Sequence, residues 1–530
     1  MEKKTSVNEI DLGIDLGTVN TQVSTLNSSG VVQVMTNMDG DMVTPSVVSV
    51  ADKKPVVGKV AKQDRFFAPE MVAEQFKRAM ASITDKGEPV VVIKGADGTE
   101  YDAVMLSAEL LNYIKSSVEK QTGRVAKRVV ISVPAYFELK ARQATKEAGL
   151  FAGFETVHIV DEPTAAATYY GITKGEDMKV AVFDFGGGTF DINILDIKSD
   201  GKIMPLAVDG DPECGGCNID EAIFAQVQKF VEKQGGKLNA ENDLTQWLET
   251  LDSCKQAKEA LAHKDSAIIP IRIADKRLSM KITSSQLKDW SVDTIKNLTE
   301  CCKRAMKKAG LKPSQINKVL LVGGSTRLKF VAEIVEAVFK QKPVTDVDPD
   351  LAVAKGNAIL AAAYFAEPDS EMFIEGKRYL ASVALPDPIA GRDLCVAAIT
   401  SKSGDGLEEY NVAIIPSGKK LPYEAKECFS PIDPKQSIVV VKLIDGRPGE
   451  LSNNFTPLQE ARIEVQPAEK EDNDDRIEFK ITMDTEGMVD IKVRDKLLNK
   501  PVPIKFKFHT GLSDSEIKKQ QEQLVARHNN

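Results

Sequence analysis

Cysteine is sparse in this chain, with seven residues in 530, and the number is odd. Spread so thinly, the thiols make no disulfide framework and favour a reducing compartment. There is no long basic block and the net charge is −9, which gives a nucleic-acid partner no electrostatic support. No apolar run approaches membrane-spanning length, and the opening M-E-K-K-T-S-V-N-E-I-D lacks the apolar core of a signal peptide. These absences lead to the expectation of a soluble cytoplasmic protein with neither a membrane nor a nucleic acid as partner. What is present is ample core material: 42% of the residues are hydrophobic, and the length accommodates roughly three or four domain-sized units.

The most informative stretch is V-A-V-F-D-F-G-G-G-T-F-D-I-N-I-L, Val180 to Leu195. An apolar run of strand length ends in Asp184, passes through Gly186, Gly187, Gly188 and Thr189, and resumes as an alternating strand. Bare backbone N–H groups flanked by a hydroxyl and a carboxylate suit a phosphate with its metal. Taken alone, the segment also fits a glycine-kinked hairpin that binds nothing. The device occurs twice, however. In I-D-L-G-I-D-L-G-T-V-N-T-Q-V-S-T-L, Ile10 to Leu26, a strand reaches Asp15, turns through Gly17 and Thr18, and continues with alternation. Matching Asp15 to Asp184 gives an internal repeat, with two related lobes facing each other across a cleft.

Between the repeats, M-V-A-E-Q-F-K-R-A-M reads as helical and carries Lys77, which alone fits a solvated helix face. Leu106 to Val118 and Leu139 to Ala152 are helical, and Arg128 to Val133 is a strand closed by Pro134. Glu162 and Pro163 follow a short strand and open an alanine-rich helix, a place where α/β proteins gather their chemistry. After the second repeat, Cys214 and Cys217 form a C-x-x-C without the second pair or histidines that a structural zinc needs. Cys301 and Cys302 read as buried thiols in a helix. The strand beginning at Val319 ends in Gly323 and Gly324, with Ser325 opening a helix where an anionic ligand can lie against backbone. An alanine-rich helix, Asp348 to Tyr364, closes this half.

Composition shifts near Phe365. A-E-P-D-S-E-M-F-I-E-G-K-R is polar and reads as an irregular linker over 366–385. Beyond it come short alternating strands with Pro, Gly and Asp turns, ending with I-K-F-K-F, which indicate an all-β sandwich over 386–512. E-K-E-D-N-D-D reads as a solvated loop. S-D-S-E, from Ser513, is a capping box that starts a helix of about fifteen residues.

I-D-L-G-T, V-I-S-V-P-A-Y-F, D-E-P-T-A-A-A, F-D-F-G-G-G-T-F-D and V-G-G-S-T-R occur here in one order at large spacings. Together they resemble the heat-shock protein 70 family of chaperones, strongly over about residues 10–365 and more loosely over 390–512. The resemblance implies an α/β, actin-like, two-lobed ATPase built from a duplicated ribonuclease-H-like fold, followed by an all-β sandwich that binds peptide. The ATPase domain would span 1–365, and a truncated lid helix would start at 513–530. ATP and ADP are the implied ligands, with Mg2+ and K+. Asp15 and Asp184 would hold the metal through water. Gly17, Thr18, Val19, Gly186, Gly187, Gly188 and Thr189 would surround the phosphates. Lys77 takes the position of the family's catalytic lysine, orienting the attacking water and neutralising charge, and Glu162 would position the same network. Gly215, Gly216, Lys258, Gly323, Gly324, Ser325, Arg327 and Asp350 would lie around ribose and adenine. Pro134 and Arg142 would relay nucleotide state. Ile438 and Val439 would line a peptide cleft with Ile432 and Ile399 as rims, although all of these also fit sandwich core. Unfolded or extended apolar peptides, a J-domain co-chaperone and a nucleotide-exchange factor are the implied partners.

The chain also departs from the family pattern. Val19 replaces a hydroxyl residue, and Lys255 and Ala262 stand where a glutamate and a serine face the adenosine, which predicts lower ATP affinity. The acidic-leucine linker is absent, and only the first helix of the lid begins before Asn530. A nucleotide-binding scaffold with weak or uncoupled ATPase is therefore the alternative to an ATP-driven chaperone. A sugar kinase of the same superfamily is disfavoured, since the β domain supplies no sugar site.

Overall fold

The computed structural model describes residues 8–529 apart from 83, 85–88, 136, 242, 274–275, 346–347, 368, 400–407, 456, 470–473, 499 and 503–513. Two compact units emerge: Met1–Tyr136, Thr145–Pro386 and Asp514–Asn530 form the first, Phe137–Ala144 and Asp387–Ser513 the second. Among the described residues no helix is long and apolar enough to cross a membrane.

The first unit holds two mixed sheets that repeat one plan. In one, Glu9–Leu16 and Asn20–Leu26 form an antiparallel hairpin, with Val125–Val133 parallel to the first strand and Thr156–Asp161 parallel to that. In the other, Met178–Phe185 and Phe190–Ile197 form the hairpin, Lys318–Val322 lies parallel to its first strand, and Ile203–Asp211 extends the far edge. In each sheet the strand leading to the acid lies between its hairpin partner and a parallel strand. It is therefore hydrogen-bonded along both edges, and its side chains Leu12, Ile14, Leu16, Phe183 and Phe185 are buried. The repeat read from Asp15 and Asp184 is thus a repeat of architecture.

Two helices pass close together behind the cleft. Glu162–Lys174 and Ala352–Phe365 cross where Gly356 meets Ala165, and a Cβ on Gly356 would sit 1.8 Å from the Ala165 carbonyl oxygen. Only glycine allows that approach. Asn357, fully buried, donates from Nδ2 to the Ile14 carbonyl and the Ser132 Oγ, each at 2.8 Å, so this helix is tied to the strand that carries Asp15.

Several segments differ from their sequence reading. The stretch around Lys77 is a strand, Val72–Glu74, followed by a 3-10 turn, Phe76–Ala79. Gln75 adopts a left-handed conformation, φ 55°, which breaks any continuous helix there. The helix that carries Cys301 and Cys302 is Val292–Ala309; a short helix, Ser284–Trp290, and an antiparallel hairpin, Ser266–Ile273 with Lys276–Thr283, precede it. The polar stretch after Phe365 is folded: Glu371–Ile374 and Lys377–Leu380 form a hairpin that belongs to the first unit, followed by a helical turn, Ala381–Ala384. The C-terminal helix, Asp514–Asn529, also packs within this unit. Arg527 and His528 bond the fully buried carboxylate of Glu109 at 2.9 and 2.7 Å.

The second unit is a sandwich of two four-stranded antiparallel sheets. One has the order Glu409–Ile415, Leu394–Ile399, Ile438–Asp445, Gln459–Glu464, and the other Tyr423–Phe429, Ile477–Met483, Val489–Asp495, Lys500–Val502. Alternation is visible in Ile477–Met483, where every second residue is buried. The strand Tyr423–Phe429 has no counterpart in the sequence reading. I-K-F-K-F and most of the acidic run lie outside the described residues.

Candidate functional site

The tips of the two hairpins meet. A Cβ on Gly187 would lie 2.3 Å from a Val19 methyl, and one on Gly188 would lie 2.8 Å from Thr18, so the second turn must be glycine for the first to reach it. Asp15 and Asp184 stand at the strand ends behind these tips. Together with Gly17, Thr18, Val19, Gly186, Gly187 and Thr189 they line one cavity of about 460 Å³.

Two further chemical groups enter that cavity from elsewhere. Lys77 is delivered by its 3-10 turn, and Glu162 is the first residue of its helix, where the N-terminal end of the dipole favours a carboxylate. Lys77 Nζ lies 2.7 Å from Glu162 Oε1, with both side chains buried. Three acids thus share one cation. Burial first, then the charge of Glu162, pushes Asp15 up to about 8, with Lys77 opposing the shift. Asp184 is raised for the same two reasons, and Asp191 and Asp15 add to it. Its Oδ2 is buried and finds no hydrogen-bond partner among the described residues.

Such a cluster lacks positive charge, and the unsatisfied carboxylate oxygen is a fitting receptor for a divalent cation. Among the described residues no group of three His, Cys, Asp or Glu is placed to ligate a metal together.

The remaining predicted residues brace the second tip. The Gly216 N–H donates to the Gly186 carbonyl at 3.0 Å and the Cys217 N–H to that of Gly187 at 2.8 Å. Ser325 Oγ bonds the Gly186 carbonyl at 2.8 Å, and Lys258 Nζ reaches the Gly216 carbonyl at 3.0 Å and Asp220 at 2.8 Å. Arg327 pairs with Asp350 at 2.7 Å and Asp348 at 3.0 Å. Lys258, Gly323, Gly324, Ser325, Arg327 and Asp350 line the cavity, whereas Gly188, Gly215 and Gly216 are not among its lining residues. Lys255 and Ala262 line it too, on the same helix as Lys258. Cys214 and Cys217 are free, buried thiols.

Sequence reasoning missed Arg65. Its side chain is 5% exposed, lines the cavity, and pairs with Glu74 at 2.8 Å and Asp252 at 2.5 Å. No motif surrounds it, so only the fold reveals it. Pro134 follows the strand Val125–Val133, and the next residue, Ala135, donates its N–H to Asp191 at 2.7 Å; Asp191 is the cross-strand partner of Asp184. Arg142, in the second unit, has its Nε 3.4 Å from the Phe137 carbonyl.

In the sandwich, Ile438 and Val440 face outward, 48% and 43% exposed, while Val439 packs against the core. Val439 therefore does not share a face with Ile438, because side chains alternate along a strand; Val440 does. Ile399 ends its strand and Ile432 lies in a loop, both exposed. Only Leu443–Asp445 of the Ile438 strand pair with Leu394–Val396, so no ladder partner lies along that edge at Ile438–Lys442 among the described residues. Compared with known families, residues 11–530 match the family model described as Hsp70 protein.

Proposed function

The chain belongs to the Hsp70 family, whose members are ATP-binding chaperones, and from that premise we propose that it hydrolyses ATP between its two hairpin tips and binds extended apolar peptides on its sandwich. The observation that carries the reading is the buried Lys77–Glu162 pair set between Asp15 and Asp184, in a cavity walled by glycine turns. Hydrolysis of a terminal phosphate needs positioning and neutralisation of spreading negative charge more than a strong nucleophile. The N–H groups of the Gly17–Val19 and Gly186–Thr189 turns and the Thr18 and Thr189 hydroxyls bind phosphate oxygens. Lys77 neutralises charge on the reacting phosphate and, with Glu162, orients the attacking water. Asp15 and Asp184 would hold Mg2+ and K+, which would supply further charge neutralisation. No covalent intermediate is required.

Ile438 and Val440 supply an outward apolar face, and the ladder edge beside them offers main-chain hydrogen bonds to an extended chain, with Ile399 and Ile432 at its margins. A J-domain co-chaperone and a nucleotide-exchange factor are the partners such an activity calls for. Seven free cysteines support a reducing location such as the cytoplasm.

Single-turnover hydrolysis of ATP by the intact chain tests the proposal. Lys77→Ala should slow it by about 10²- to 10³-fold, the range for loss of one preorganised charge-stabilising group; an unchanged rate would refute the assignment. The scaffold reading keeps nucleotide binding and removes coupling. Binding of a fluorescent apolar heptapeptide with and without ATP separates the two, since coupling requires ATP to weaken peptide affinity, here by about tenfold.

A further inference from the structure

The hairpin Glu371–Leu380 stands where the sequence reading expects a featureless connection, and its inner face is not idle. Met372, Ile374 and Tyr379 are buried in one apolar cluster with Ile172, in the last turn of Glu162–Lys174, and with Ile359 and Ala363, in the C-terminal half of Ala352–Phe365. The hairpin is pinned from the other side as well. The Glu375 N–H donates to the Gly30 carbonyl at 2.8 Å, and Glu375 Oε1 accepts from the Val32 N–H at 3.0 Å.

Two of its other polar side chains converge on one place. The last four carbonyls of a helix have no partner within the helix and carry its partial negative charge. Tyr379 donates its hydroxyl to the Ile172 carbonyl at 2.8 Å, and Lys377 Nζ lies 3.1 Å from the Thr173 carbonyl. The hairpin thus supplies, from outside the helix, a C-terminal cap and a cation at the negative end. The first residue of that same helix is Glu162, in the cleft and bonded to Lys77. Thirteen residues of continuous helix, held against its neighbour at the Gly356–Ala165 crossing, join the two ends.

We propose that Lys377 and Tyr379 are positioning residues for ATP hydrolysis: by capping the far end of the Glu162 helix, the hairpin holds Glu162 in register with Lys77. This rests on the ATPase reading above. The test is the full-length double variant Lys377→Met/Tyr379→Phe, which keeps the apolar contacts and removes both donors. Single-turnover hydrolysis should slow by about tenfold, as expected when a reacting group is displaced by a fraction of an ångström, while the ATP Kd stays within about twofold. Amide exchange should quicken at Thr164–Ala167, at the cleft end of the helix, as well as at Ile172–Gly175. Lys377→Arg, with Tyr379 intact, should hydrolyse at the wild-type rate. An unchanged rate, or faster exchange confined to Ile172–Gly175, overturns the proposal. If the wild-type chain hydrolyses no ATP, the ATPase reading fails and exchange at Thr164–Ala167 alone decides whether the hairpin positions Glu162. If the double variant does not fold, Tyr379→Phe, which loses a single hydroxyl, is judged by the same two readouts.

Discussion

With divalent cations chelated, the nucleotide-binding unit should lose stability as pH rises from about 5 to 8, the reverse of ordinary acid denaturation. Asp15 has an ordinary value of 3.8 and is pushed to about 8 in the folded protein, and Asp184 moves the same way. Between those limits the folded state keeps a proton that the unfolded state has released, so raising the pH favours unfolding. The slope is at most about 1.4 kcal/mol per pH unit for each carboxyl. From pH 6 to 7.5 Asp15 alone contributes roughly 2 kcal/mol, or a few degrees in Tm for a unit of this size. Mg2+ takes the place of the protons, so it should flatten the dependence and bind more tightly as pH rises. The assay is thermal unfolding in chelator from pH 5.5 to 8, for wild type, Asp15→Asn and Asp15→Asn/Asp184→Asn. The double variant should show the shallowest dependence, and a slope equal to that of wild type would refute the reasoning.

Three other outcomes follow from packing and charge. Gly356→Ala places a methyl group 1.8 Å from the Ala165 carbonyl oxygen, so it should destabilise the unit by about 3 kcal/mol or more, read as a lowered Tm. In the sandwich, Arg476 and Asp495 form a fully buried two-bond pair at 3.0 and 2.6 Å. Arg476→Met should cost about 3 to 5 kcal/mol in denaturant unfolding, while Arg476→Met/Asp495→Leu should recover most of that, because neither charge is then left alone. Val440→Asp should leave the sandwich folded by circular dichroism and weaken heptapeptide binding at least tenfold, a loss of about 1.4 kcal/mol; Val439→Asp, which buries a charge in the core, should unfold it.

Much of the cleft was legible because its chemistry is local. Asp15 and Asp184 sit at the ends of apolar strands beside glycine turns, and both the repeat and the turn are visible in a dozen residues each. Lys77 and Arg65 show where that legibility stops. Lys77 was placed by resemblance, since a left-handed Gln75 and a 3-10 turn leave no periodic signature. Arg65 was missed because its partners, Glu74 and Asp252, are brought to it by tertiary structure. Val439 packs inward while its neighbours Ile438 and Val440 face out, because one residue along a strand turns a side chain to the other face of a sheet, and a motif match does not reveal which face it takes.

The segment after Phe365 is the instructive case, because a signal was present in a polar composition. E-M-F-I-E-G-K-R-Y-L places Met372, Ile374 and Tyr379 on one face of two short strands, and Glu375 and Gly376 both take positive φ, 48° and 81°, as a two-residue hairpin turn demands. The outward side carries Glu371 and Arg378 beside the exposed Phe373 and Leu380, and the flanking acids, lysine and glycine set the polar average. The absence of an acidic-leucine connection therefore does not establish that nucleotide and peptide act independently. The chain immediately ahead of the sandwich is built into the rear of the Glu162 helix, so strain at the cleft and strain in the hairpin bear on one rigid element. If that element carries coupling, Lys377→Met/Tyr379→Phe should abolish the effect of ATP on heptapeptide affinity while leaving affinity without ATP unchanged. Equal sensitivity to ATP in variant and wild type would place the coupling elsewhere.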